Sequence, residues 1–129
     1  MSAAVSTAIL VVEDEILVRM FAVDALEDAG FRVLQAGTAA EAMQALRGAT
    51  DVRAVMVDMG LPDRPGDQLA AEIQAWRADL PIVIASGRSG RELRERFAAD
   101  PRIALLVKPY TAALLLEVLA GLGVAAGMT

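Results

Sequence analysis

The chain has 129 residues, a formal net charge of -5 and a pI near 4.6, a length that suits one domain, since single cores run to roughly 100 to 200 residues. The acidic balance argues against a nucleic-acid-binding domain, which presents a basic stripe to phosphates, and the lack of Cys and His removes disulfide scaffolds, thiolate zinc sites, Ser-His-Asp triads and His-based acid catalysis. Although 56% of residues are hydrophobic, much of that is Ala, and charges interrupt every apolar run before the roughly 18 residues a membrane span needs.

Met1 to Ala8 lacks the basic and apolar regions of a secretory signal, so a soluble, cytoplasmic protein is expected. Short β-rich runs then alternate with helical patterns in five units, which predicts a parallel α/β sheet. Ala8 to Val12 is continuously apolar, as a strand buried on both faces should be. Glu13-Asp14-Glu15 opens a helix whose apolar residues Ile16, Leu17, Met20, Phe21 and Leu26 recur at helical spacing up to Gly30, its expected C-cap. Phe31 to Ala36 reads as the second strand. Thr38 and Glu41 form a capping box for a second helix that Gly48 ends.

Arg53 to Val57 is the third strand and delivers Asp58 at its C-terminal end. A loop from Met59 to Gly66 precedes a third helix with Leu69, Ile73 and Trp76 on one face. Pro81 to Ala85 is the fourth strand, Ser86 to Gly90 a glycine-containing loop, and Arg91 to Ala98 a short fourth helix. Arg102 to Val107 is the fifth strand and meets Lys108-Pro109. Thr111 caps a fifth helix expected to turn Leu114, Leu115, Val118, Leu119 and Leu122 inward. Its opposite side would carry Ala112, Ala113, Leu116 and Ala120, with Glu117 as the only charge. One domain over 8–122 is expected, with an N-terminal extension 1–7 and a short tail 123–129 that has no effector module behind it.

Right-handed crossovers make such a sheet doubly wound, and its ligand site lies beyond the carboxyl ends of the strands, where the strand order reverses. That rule nominates Glu13, Asp14, Asp58, Ser86 and Lys108. Each alone has an ordinary use: acids complement helix N-termini, an Asp can stabilise its own turn, and a Lys is commonly a solvated charge. Their coincidence on one edge of the sheet is what points to function. Converging carboxylates repel one another and would be driven towards protonation unless a cation intervenes. Mg2+ suits them, because it takes oxygen ligands and keeps waters that a phosphoryl oxygen can displace. With the Lys108 charge and the Ser86 hydroxyl opposite, the set suits a phosphoryl group on a carboxylate, formed by in-line attack of Asp58.

Four blocks carry a resemblance: Leu10-Val11-Val12-Glu13-Asp14-Glu15, Val55-Met56-Val57-Asp58-Met59-Gly60-Leu61-Pro62, Ile84-Ala85-Ser86-Gly87 and Val107-Lys108-Pro109-Tyr110. In this order they resemble the motifs of the receiver domain of two-component response regulators, over about Ala8 to Leu122. The resemblance implies a flavodoxin-like sheet in the order 2-1-3-4-5 flanked by five helices. It makes Asp58 the phosphoacceptor, Asp14 a direct Mg2+ ligand, Glu13 a ligand through water and the Gly60 carbonyl a third ligand. Ser86 becomes the hydroxyl switch residue, and Lys108 binds phosphate ahead of a cis Pro109. The expected partners are a sensor histidine kinase or a histidine phosphotransfer protein. A second copy or a target protein would dock on the fourth helix, fifth strand and fifth helix, and neither nucleic acid nor membrane is expected as a partner. Catalysis would be confined to the protein's own phosphorylation and dephosphorylation.

The chain departs from the pattern at Leu105, where most receivers have an aromatic residue whose rotation relays the switch. The Ser86 to Gly90 loop and the fourth helix are therefore the expected relay. Gly60 offers no side chain to position a hydrolytic water, so a long-lived phosphoryl group is expected, with Arg88 able to alter it. The alternatives are a pseudo-receiver that binds partners without phosphorylation and an enzyme on the same fold. Glu13-Asp14-Glu15 would repel a flavin phosphate, and Gly60 stands where an aspartyl-phosphate phosphatase wants a second acid.

Overall fold

The computed structural model describes residues 7–49, 51–87, 91, 95, 97 and 99–126. Its elements are β1 (Ala8–Val12), α1 (Ile16–Asp28), β2 (Arg32–Ala36), α2 (Ala39–Gly48), β3 (Val52–Asp58), α3 (Gly66–Trp76), β4 (Ile82–Ser86), β5 (Ile103–Val107) and α4 (Ala112–Gly121). All strand pairs are parallel, in the order β2-β1-β3-β4-β5. Of the helix expected over Arg91 to Ala98, only Arg91, Glu95 and Phe97 lie among the described residues, each with helical backbone. Four helices rather than five are therefore delimited among the described residues. None of these helices is long and apolar enough to cross a membrane.

The central strands are apolar on both sides because helices cover both faces. Leu10, Val12, Val55, Val57, Ile82 and Ile84 meet α2 and α3 through Leu46, Leu69 and Ile73. The alternate residues Ile9, Val11, Ala54, Met56, Val83 and Ala85 meet α1 and α4 through Leu26, Leu115 and Leu119. This strict alternation is the two-residue period of a strand.

Local signals end the helices where the sequence places them. Gly30 has φ 97°, a left-handed conformation that glycine adopts without a Cβ clash. Its amide donates to the Glu27 carbonyl and that of Phe31 to the Leu26 carbonyl, both at 3.0 Å, which is the Schellman closure. Thr38 Oγ1 accepts from the Glu41 amide at 3.0 Å, while the Glu41 carboxylate reaches the Gly37 amide at 2.8 Å rather than that of Thr38. Thr111 caps α4 in the same way, accepting from the Leu114 amide.

Three expected faces are corrected. In α1, Ile16, Leu17, Met20 and Phe21 are exposed, Leu17 by 84%, while Ala22, Val23, Ala25 and Leu26 are buried. The first turns of α1 are apolar almost all round, so periodicity could not set their rotation, and the buried stripe runs through small residues that let the helix approach the sheet. In α4, Leu115 and Leu119 are buried and Leu114 is exposed. Leu116, expected outside, instead packs with Ala112, Val118 and Leu122 against the second core cluster. Trp76, expected to share a face with Leu69 and Ile73, is instead exposed at the end of α3, while those two are buried.

Candidate functional site

The order β2-β1-β3 places the reversal of the sheet between β1 and β3, and the acids lie there, just beyond the strand ends. Asp58 is the last residue of β3 and only 7% exposed, and Glu13, directly after β1, is 4% exposed. Asp14 is exposed beside them. Carboxylate oxygens of Glu13, Asp14 and Asp58 all lie within 4.8 Å of one another.

Lys108, directly after β5, reaches across the sheet end to two of these acids. Its Nζ lies 2.6 Å from Asp58 Oδ1 and 2.8 Å from Glu13 Oε1. Its placement begins in the backbone, where the Lys108 amide donates to the Ser86 carbonyl at 2.8 Å and the Lys108-Pro109 peptide is cis. Burial by itself would lower the Lys108 pKa, but the hydrogen bonds to Asp58 and Glu13 outweigh it, so the ammonium is held charged. Burial raises the Glu13 pKa, with the nearby Asp58 charge adding to it, against the hydrogen bonds from Lys108 and the Glu15 amide. Asp58 Oδ2 accepts from the Gly60 amide at 3.1 Å. Three carboxylates against one ammonium leave a formal surplus of two negative charges, and a hard divalent cation with oxygen ligands suits that donor set. Ser86 ends β4 at the same edge, half-buried, and Gly60 lies two residues beyond Asp58. All six sequence-nominated residues therefore stand on one edge of the sheet, with Glu13, Asp14, Asp58 and Lys108 brought into one cluster.

The loop after Asp58 is fixed by two features that have no local signal. Gly66 passes so close to the end of β3 that a Cβ on it would lie 2.8 Å from both the Asp58 carbonyl carbon and Met59 Cα. Its amide donates to the Met59 carbonyl at 3.0 Å. Asp63 accepts from the Ala39 and Ala40 amides at 2.9 and 3.0 Å, capping α2 from a different loop. Those hydrogen bonds, first that of Ala39, hold its carboxyl below the ordinary range.

Arg19, on α1, was also missed; its Nη1 donates to the Glu13 carbonyl at 2.9 Å. Tyr110 packs on Phe21 with ring centroids 5.7 Å apart, and its buried hydroxyl has no hydrogen-bond partner among the described residues. Burial, reinforced by the Glu13 charge, pushes its pKa up to about 12. A groove of about 550 Å³ opens between Lys108, Tyr110 and the first turns of α1. The Ser86 to Gly90 relay expected from the sequence lies partly outside the described residues, Arg88 included.

Residues 9–120 match the family model for the response regulator receiver domain. The chain is 36% identical over 110 residues to the transcriptional regulatory protein PdtaR of Mycobacterium tuberculosis, covering 84% of this chain and 53% of that protein. It is 32% identical over 109 residues to the sensor kinase CckA of Brucella abortus, covering 82% of this chain but 11% of that protein. Thus it spans about half of one relative and a small part of the other. Among solved structures, the Thermotoga maritima response regulator TrrA, in complex with Mg(2+)-BeF, matches with a TM-score of 0.79 and 26% identity, over 90% of this chain and 98% of that one. A CheY-like receiver domain protein from Methanospirillum hungatei JF-1 matches with a TM-score of 0.76 and 25% identity, over 86% and 88% of the two chains. With its four motif blocks gathered at the reversal of a 2-1-3-4-5 sheet and the family match running almost end to end, this chain belongs to the response regulator receiver domains.

Proposed function

We propose that the protein is a phosphorylation-dependent signalling switch of the cytoplasm, accepting a phosphoryl group on Asp58 from a histidine kinase or a histidine phosphotransfer protein. The observation that carries this reading is the Lys108 ammonium bridging Asp58 and Glu13 within the cluster of three carboxylates. A carboxylate oxygen of Asp58 attacks phosphorus and forms the O–P bond as the P–N bond of a phosphohistidine breaks, and the departing imidazole takes up a proton. Glu13, Asp14, Asp58 and the Gly60 carbonyl would hold Mg2+, which when bound neutralises charge on the phosphoryl oxygens. Lys108 moves its point charge from Asp58 Oδ1 to a phosphoryl oxygen, and the Ser86 hydroxyl donates to another. TrrA, solved with Mg(2+)-BeF, supports this use of the fold. The β5 edge and α4 expose Val107 and Leu114, where a target protein or second copy would dock.

Intact-mass analysis after incubation with acetyl phosphate and Mg2+ tests the reading. One phosphoryl group should be added to the wild type and none to Asp58→Asn, whose amide is a far poorer nucleophile. No gain in the wild type would leave an interaction module that works without phosphorylation, and an equal gain in both proteins would place the acceptor elsewhere.

A further inference from the structure

Glu13 is held from four directions. Its amide donates to the Ala36 carbonyl at 3.0 Å, its two carboxylate oxygens accept from Lys108 and from the Glu15 amide, and its carbonyl accepts from Arg19 Nη1 at 2.9 Å. That carbonyl belongs to the planar peptide joining Glu13 to Asp14, so fixing its direction fixes the plane from which the Asp14 side chain departs. Arg19 is itself anchored, because its Nε donates to Gln35 Oε1 on β2 at 3.1 Å. Gly37 leaves the space it needs, since a Cβ there would lie 3.3 Å from Arg19 Nη1. The half-buried guanidinium thus ties the first turns of α1, the end of β2 and the acidic segment together.

We propose that Arg19 is a positioning residue for the cation site, setting Glu13 and Asp14 for Mg2+ through the peptide between them. This rests on the Mg2+-dependent reading of the site given above. Positioning and charge predict opposite signs, which makes the role separable. A cation near an acidic site weakens the binding of another cation by repulsion, so neutralising Arg19 should tighten Mg2+ binding if charge were all that mattered. If positioning governs, the same change should weaken it, as loss of an outer-shell partner does by roughly 10- to 100-fold.

The test is calorimetric titration of Mg2+ into wild type, Arg19→Met, Arg19→Lys and Gln35→Ala, with urea unfolding of each. Arg19→Met should bind Mg2+ at least ~10-fold more weakly. Arg19→Lys, which keeps the charge but lacks the planar fork, should fall between. Gln35→Ala, which loosens the anchor of Arg19 but leaves the bond to the Glu13 carbonyl in place, should weaken Mg2+ binding less than Arg19→Met does, whatever its urea midpoint. Should Arg19→Met fail to fold, Arg19→Lys decides alone, because wild-type affinity in it would overturn the proposal. Equal or tighter binding by Arg19→Met, with the wild type binding normally, overturns the role of Arg19 and leaves the site reading intact. A wild type that takes up no Mg2+ overturns both.

Discussion

Gly66→Ala adds a single methyl group next to the strand end that carries Asp58. The new Cβ would lie 2.8 Å from the Asp58 carbonyl carbon and from Met59 Cα, and closer still to the Asp58 carbonyl oxygen, against 3.4 Å or more for an ordinary contact. All three atoms are backbone, so no side chain can swing aside to relieve the clash. Overpacking of this kind costs about 3 kcal/mol, while replacing Gly by Ala in a helix returns about 1 kcal/mol. The net loss should be about 2 kcal/mol, a fall in Tm of roughly 8 °C at about 4 °C per kcal/mol for a domain of this size. Urea and thermal unfolding measure it directly. Since relief requires moving Asp58 or the loop after it, phosphorylation by acetyl phosphate should also slow in the fraction that stays folded. Unfolding within about 0.5 kcal/mol of the wild type, the range of a surface change, would refute the close approach of α3 to β3.

Leu115→Ala should cost about 3 kcal/mol, as a buried Leu does, whereas Leu17→Ala should stay within about 0.5 kcal/mol; urea midpoints check both, and a loss in Leu17→Ala as large as that in Leu115→Ala would restore the apolar face of α1 read from periodicity. Tyr110→Phe should be neutral or stabilising by up to about 1 kcal/mol, because its buried hydroxyl has no partner to lose among the described residues, and a clear loss in thermal unfolding would show that the hydroxyl is bonded. The Asp63 carboxyl, lowered from 3.8, contributes stability above that unfolded value that is lost as pH falls through the lower folded one. Asp63→Asn should therefore remove part of the acid limb of stability against pH below about 4, measured by urea midpoints; an unchanged acid limb would mean that the caps to Ala39 and Ala40 do not form.

The alternation of strands and helices, the ends of α1 and α2 and the edge on which the candidate site lies can all be read along the chain. Those features are written in neighbouring residues: the apolar run Ala8 to Val12 calls for burial on both faces, Gly30 meets a left-handed φ, and Thr38 finds its amide three residues on. Asp58 and Lys108 were legible too, because a doubly wound sheet sends all its strand ends to one edge. Leu69 and Ile73 of α3 and Leu115 and Leu119 of α4 went inside as read, but the apolar side of α1 and the flanks of α4 were not legible. In α1 and α4 the apolar residues are too continuous to have a phase, so packing chose it: Ala22, Ala25 and Leu26 went inside while Leu17 stayed in solvent. Nor could the sequence show Lys108 bridging Glu13 across 95 positions, Asp63 capping a helix 23 and 24 positions back, Arg19 grasping the Glu13 carbonyl or Gly66 lying against β3. Such contacts join backbone and side-chain atoms whose distance depends on how whole elements dock, and only the tertiary structure sets that distance.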